Sequence, residues 1–194
     1  MFDVGGVTVD FDTDRLILQV SQLVGQSFEE VQRVVYDESL VSFELGRMTP
    51  QRYYQGLKER LSLSWSYEQF VRAWNSIFRE NSDVTQLLQR LRKRHKLLAL
   101  TNTNLLHLEY LKTHFSSLSV FDHWIASCDV GLRKPDPQIY LLALKQAGVR
   151  PQAALYIDDR PELVEAGRDA GLTAIRFESG RQLEEALRAI GINA

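Results

Sequence analysis

KPDPQIYLLALKQAGVRPQAALYIDD, residues 134 to 159, decides how the rest of the chain is read. Lys134 opens it in a Pro-bounded turn. Asp136 is placed to cap a helix whose first position is Pro137, because a carboxylate there accepts a free backbone N–H. Ile139, Leu142, Ala143 and Ala147 follow at helical spacing, and Gly148 stops the helix. Ala153 to Ile157 then reads as a short buried strand that carries Asp158 and Asp159 at its C-terminal end. Ligands of open α/β sheets sit outside the carboxyl ends of the strands, so a carboxylate pair there marks a site.

On the N-terminal side, Ser82 reads as the cap of a helix with Leu87, Leu88 and Leu91 on one face. Leu97 to Leu100 is a buried strand ending at Thr101 and Asn102, a helix with Leu105, Leu108, Tyr110 and Leu111 follows, and Phe121 to Ala126 is another strand. Beyond Asp159, Pro161 starts a helix that Gly171 ends. Thr173 to Phe177 is a strand and Leu183 to Ile190 a last helix. Strands alternating with helices imply a parallel sheet with right-handed crossovers. Residues 14–82 have a different texture: helical spacing from Leu16, more helix from Phe28 through Leu45, a cap at Thr49 with Pro50 behind it, and a cap at Ser66 before Phe70, Trp74, Ile77 and Phe78. This region is expected to be an all-helical insertion with no strand of its own.

The chain begins MFDVGGVTVD, which puts Asp3 after two residues, a turn at Gly5-Gly6 and an extended segment at Val7 to Val9. A strand of Met1 and Phe2 is short for one buried on both faces, so it is either stunted or continued upstream. The composition is that of an ordinary globular protein, 44% hydrophobic and 25% charged, with a net charge of -2. That charge argues for neither nucleic acid nor an anionic membrane. The basic run RLRKRHK at 90–96 reads as cations at a helix C-terminus. A single cysteine, Cys128, precludes an internal disulfide and fits a reducing compartment. The expectation is a soluble cytoplasmic protein, monomer or homodimer, with no membrane span.

Four strand ends carry polar residues: Asp3, Thr101, the Lys134 turn, and Asp158 with Asp159. Each alone reads as turn or surface chemistry; together, at one end of one sheet, they read as a site. Three carboxylates repel one another, and one lysine cannot balance them. One divalent cation plus Lys134 can; all-oxygen ligands select a hard ion, and Mg²⁺ keeps several waters beside one or two carboxylates and a substrate phosphate. Thr101 and Lys134 are then placed to hold phosphate oxygens, with Asp3 as nucleophile. His95, His107, His114 and His123 lack metal-ligand spacing and read as surface or helix-end residues. Trp65 and Trp74 read as packing of the insertion, one of them placed to line a pocket. Cys128 reads as a small buried residue.

FDVGGVTVD, LLALTNTN, VGLRKPDPQIY and LYIDD resemble the four ordered motifs of the haloacid dehalogenase superfamily, over nearly the whole chain. FELGRMTPQRYY is similar to part of the small cap domain, and the branch most resembled is that of bacterial sugar-phosphate (glucose-1-phosphatase-like) phosphatases. The resemblance implies an α/β fold: a Rossmann-like parallel sheet flanked by helices, residues 1–13 and 83–194, with a small all-helical cap, 14–82, inserted after the first strand. It implies a Mg²⁺-dependent phosphatase of small phosphorylated metabolites, sugar phosphates among them. Asp3 would form an aspartyl phosphate, with Lys134 beside it as the second catalytic residue. Thr101, Asn102 and Lys134 would bind the phosphoryl group. Asp3, the Gly5 carbonyl, Asp158 and Asp159 would serve the metal, and residues 44–47 would face the substrate.

One departure matters. Many such phosphatases have a second Asp two residues after the nucleophile as general acid and base, and here that position is Gly5. Loss of such a group costs ~10²–10⁴-fold in rate. Gly5 therefore favours leaving groups that need little protonation, such as anomeric sugar or aryl phosphates. Asp10 is the alternative proton donor, its competing reading a turn or capping residue. A dehalogenase and a non-catalytic binding protein are the rival functions. The first has no use for a divalent cation, and the second is supported by Gly5 and the short first strand.

Overall fold

The computed structural model describes residues 1–192. After a turn through Gly6 to Thr8 come β1 (Val9–Phe11) and helices α1 (Thr13–Val24), α2 (Phe28–Val35), α3 (Glu38–Glu44), α4 (Pro50–Leu61) and α5 (Tyr67–Asn75). Then follow β2 (Phe78–Glu80), α6 (Ser82–Leu91), β3 (Leu98–Thr101), α7 (Leu105–His114), β4 (His123–Ala126), the short α8 (Ser127–Val130) and α9 (Pro137–Ala147). The chain closes with β5 (Leu155–Asp158), α10 (Pro161–Asp169), β6 (Thr173–Arg176) and α11 (Gly180–Ala189).

β3 pairs in parallel with β4, and β5 with β6. Phe2 joins the two pairs, bridging in parallel to Ala99 on one side and Ile157 on the other. The first strand is thus little more than one residue, held by Phe2 N–H to Leu98, Asp3 N–H to Ile157 and Leu100 N–H to Phe2, each at 2.8 Å. It suffices because Phe2 is central and buried. Alternation splits the sheet residues between two cores. Phe2, Ala99 and Ile157 pack with α6, α7 and α11, whereas Met1, Leu98, Leu100 and Tyr156 pack with α9 and α10. Asp3 and Asp158 follow the parity of Met1 and Tyr156, which turns both towards one point.

The insertion is helical in its body but not at its stem. Phe78 leaves the helical pattern at Asn75 and enters β2, which pairs antiparallel with β1 in the register Phe11 to Phe78 and Val9 to Glu80. The chain needs two strands side by side where it leaves and re-enters the core, and the apolar residues that suggested helix serve a ribbon equally well. The stretch from Phe28 to Leu45 is two helices, because Asp37 caps a new one with its carboxylate on Ser39 N–H. Asn81, not Ser82, caps α6, and Val7 lies in the turn before β1. Thr49, Ser66 and Asp136 cap as expected, Ser66 with Gln69 in a capping box.

The insertion has its own apolar cluster, built on Ile17, Val31, Phe43, Tyr53, Phe70 and Trp74, and Leu106 of α7 joins it. At the other end of the contact, Ser127 Oγ donates to the Glu44 carbonyl at 2.6 Å and accepts Thr103 N–H at 2.9 Å. Gly46, at φ 68°, lies so close that a Cβ would stand 2.1 Å from the Cys128 carbonyl oxygen. Gly46→Ala is therefore expected to lower stability by about 1–3 kcal/mol through backbone displacement and left-handed strain. A urea transition at the wild-type midpoint would refute this contact.

Candidate active site

Asp3 follows Phe2, Thr101 ends β3, Lys134 sits in the loop before α9, and Asp158 ends β5. The parallel sheet carries the three strand ends and the Lys134 loop to one edge. Lys134 is 2% exposed and Asp158 0%. The lysine Nζ lies 3.0 Å from Asp3 Oδ2 and 2.7 Å from Asp158 Oδ2. Asp3 Oδ1 accepts Val4 N–H at 2.7 Å, and Asp158 Oδ1 accepts Arg160 N–H at 2.9 Å. Burial pushes the Asp3 carboxyl up to about 7; the Asp158 charge adds to the rise and Lys134 opposes it.

Asp3, Asp158 and Asp159 each offer a carboxylate oxygen within 4.8 Å of the others. Burial, and then Asp158, also raise the Asp159 pKa. With one ammonium among three carboxylates the cluster lacks positive charge, and its donors are all hard oxygens. Mg²⁺ fits that set. Gly6 completes the fit: at φ 79° it lies under the Asp159 carboxylate, where a Cβ would stand 2.6 Å from Oδ2.

A cleft of about 550 Å³ opens over these groups, with Asp3, Gly5, Thr101, Lys134 and Asp159 on its floor and residues of the insertion opposite. Glu44 reaches this cleft and pairs with Arg133 at 3.3 Å, while Gly46 packs on Cys128 and Arg47 is exposed. Asn102 also lines it, with its carboxamide engaged: Nδ2 donates to the Lys134 carbonyl at 2.9 Å and Oδ1 accepts Lys134 N–H at 2.8 Å. Its side chain clamps the lysine loop. Asp10 is exposed on the ribbon, paired in register with Arg79, and does not line the cleft.

The profile of the haloacid dehalogenase-like hydrolases matches residues 1–171. This chain belongs to that family. Among its curated relatives are the D-ribitol-5-phosphate phosphatase of Bacteroides thetaiotaomicron, 26% identical over 98% of this chain and 96% of the relative, and the phosphorylated carbohydrates phosphatase of Thermotoga maritima, 30% identical over 90% and 82%. A solved HAD family enzyme of B. thetaiotaomicron, in complex with magnesium and inorganic phosphate, matches at a TM-score of 0.82. It is 25% identical, over 92% of this chain and 93% of that one. The chain is thus a HAD-like hydrolase whose fold is that of its solved relatives.

Within this HAD fold, further residues support the site. Tyr156 donates its hydroxyl to Asp158 Oδ2, and its ring lies 5.7 Å under Lys134 Nζ. Its position two residues before Asp158 on a strand was the available signal, since i and i+2 share a face. His107 is a helix-end residue, in the first turn of α7, but it is half-buried and engaged. It stacks on Trp74 at 5.2 Å, its Nε2–H donates to the Trp74 carbonyl, and Nδ1 accepts from Asn104. Asn104 in turn accepts the Trp74 indole N–H at 3.3 Å, so this trio ties the insertion to the loop after β3. Trp74 lines the cleft, and Trp65 packs in the insertion. Cys128 is half-buried, its thiol pushed up to about 12 by burial, which leaves no thiolate for chemistry.

Lys134→Met is expected to cost about 3–5 kcal/mol without added metal, because two buried carboxylates lose their counter-charge; wild-type stability in urea would refute the compensation. His107 supplies a pH test. Burial lowers its pKa to about 4 against an ordinary 6.5. The folded state therefore binds fewer protons than the unfolded state between those values, and stability is lost as pH falls through that window. The loss is at most about 1.4 kcal/mol per pH unit. Denaturation at pH 5 and pH 7 should show a shallower acid loss in His107→Gln than in wild type, and parallel losses would contradict the assignment.

Proposed function

We propose that this chain is a Mg²⁺-dependent phosphatase that hydrolyses small phosphomonoesters through an aspartyl-phosphate intermediate on Asp3. The observation that carries this reading is the convergence of Asp3, Asp158 and Asp159 around one buried lysine at the carboxyl edge of a parallel sheet. The working units are a core of residues 1–13 and 83–194 and a cap of residues 14–82, as the motif order suggests.

In the proposed reaction an Asp3 oxygen attacks phosphorus, the ester oxygen leaves with its electron pair, and water then hydrolyses the acyl phosphate. Lys134 and Thr101 hold the phosphoryl oxygens, and the Asn102 carboxamide keeps the Lys134 main chain in place. Asp158, Asp159, Asp3 and the Gly5 carbonyl are the groups for Mg²⁺, which supplies charge stabilisation to the transferring phosphoryl group when bound. Tyr156 fixes the Asp158 carboxylate from behind. The names of two relatives, which act on ribitol phosphate and on phosphorylated carbohydrates, support the phosphomonoester class. The magnesium and phosphate in a structural relative support the ion.

Phosphate release from a phosphomonoester panel, with Mg²⁺ or with EDTA, tests the reading. Release should require the metal and fall by at least about 10³-fold in Asp3→Asn, as for loss of a nucleophile. Release that survives in Asp3→Asn would remove Asp3 from the chemistry.

A further inference from the structure

Gly5 leaves a space, and Phe11 occupies it. A Cβ built on residue 5 would lie 3.1 Å from Phe11 Cε1 and 3.2 Å from Cδ1. The ring comes from β1, at the start of the ribbon, and projects over the edge that holds Asp3. Phe11 is 48% exposed although it lines the cleft, and Tyr36, which also lines it, is 44% exposed. Leu40, Val41 and Phe78 continue this apolar wall. Large side chains of this kind, left open to water beside a polar site, are what a ligand with an apolar body would cover.

The polar side chains in the same cleft are mostly committed to one another. Asp37 accepts Ser39 N–H at 2.9 Å and pairs with Arg60 at 2.7 Å. Glu44 pairs with Arg133, Asn102 with the Lys134 main chain, and Asn104 with Trp74 and His107. The buried Nε of Arg133 has no partner and is open to a hydroxyl, but a polyol brought here would give up hydrogen bonds to water for several hydroxyls, and each one left unsatisfied is unfavourable. An aromatic body has no such loss.

We infer that, granted the phosphatase reading, the leaving group of the preferred substrate is a flat aromatic alcohol that packs against the apolar wall that includes Phe11 and Tyr36. Its charge is the phosphate, held at Lys134 and Thr101. The step balances without an acid at position 5. An Asp3 oxygen forms the new bond to phosphorus, the bond from phosphorus to the ester oxygen breaks, and that oxygen leaves with the pair and takes its proton from water in the open cleft. The aromatic wall thus does by packing what hydroxyl contacts do in a sugar site.

Two pairs of compounds separate this inference from the reading beneath it. Benzyl phosphate and glycerol phosphate are both esters of primary alcohols and differ in the body of the leaving group. Benzylphosphonate and dihydroxypropylphosphonate are their non-hydrolysable counterparts for calorimetry. With Mg²⁺ present, wild type should favour the benzyl member by about tenfold in kcat/KM and in Kd, the scale of burying one ring. Phe11→Ser and Tyr36→Ser should each remove most of that preference while still binding the glycerol member. Equal use of both esters by wild type, or a benzyl preference that survives both variants, would overturn the inference. If neither ester turns over but benzylphosphonate keeps its Phe11-dependent advantage, the aromatic site stands and the phosphatase reading falls. Equal binding of the two phosphonates overturns the aromatic site whatever the turnover.

Discussion

The structure depends on one buried ammonium. Lys134 lies between Asp3 and Asp158 at 3.0 and 2.7 Å, with almost no contact with water. Taking any one of these charges out of water alone would cost several kcal/mol, so none is tolerable there without the others. The three come from distant parts of the chain: the N-terminus, the loop before α9 and the end of β5. The sheet cannot assemble with one of them misplaced without leaving a buried charge unmatched. The constraint explains the supporting parts. Asn102 bonds both main-chain groups of Lys134, the Tyr156 hydroxyl meets Asp158, and Gly167 is bare because a Cβ there would stand 2.6 Å from the Tyr156 ring.

The same cluster accounts for the chemistry available. Lys134 neutralises one carboxylate of three, so the site retains negative charge at the place where the proposed phosphoryl group must also sit. A second cation resolves the conflict. An oxygen-only pocket selects a hard one, and an open cleft leaves room for its waters and for the phosphate. Burial raises the Asp3 pKa to about 7, while a cation nearby favours the ionised form that a nucleophile needs.

Much of this was legible in the sequence because it rests on local rules. Helix caps at Thr49, Ser66 and Asp136, alternation in the strands, and polar residues at four strand ends follow from spacing alone. Four things were not legible, each for a physical reason. The β1–β2 ribbon depends on pairing across nearly seventy residues, and Phe78 satisfies helical and ribbon patterns equally. His107 carries no mark of burial in its own helix, since its partners Trp74 and Asn104 lie on other elements. Asn102 reads as a ligand for phosphate because it adjoins Thr101, yet its carboxamide is taken by a main chain thirty-two residues on. Asp10 had the right chemistry for a proton donor but the wrong face of the ribbon, with Phe11 next to it on the face that meets the cleft.

The two adjacent glycines of the first motif serve different ends. Gly6 is required by backbone and by space together: its φ of 79° disfavours other residues, and the Asp159 carboxylate fills the place of its Cβ. Gly5 has no such backbone demand, and the atoms that crowd it belong to Phe11, a side chain at the mouth of the cleft that has room to turn. A carboxylate at position 6 would be excluded by the Asp159 carboxylate itself, whereas one at position 5 would require only that the Phe11 ring turn aside. The first exclusion protects the charge balance around Lys134. At position 5 the chain presents the apolar Phe11 ring and no proton donor, which suits a leaving group that needs covering more than it needs a proton. Residues 5 and 11 therefore act as one unit, and their joint choice, more than either alone, separates this cleft from one built around a second aspartate.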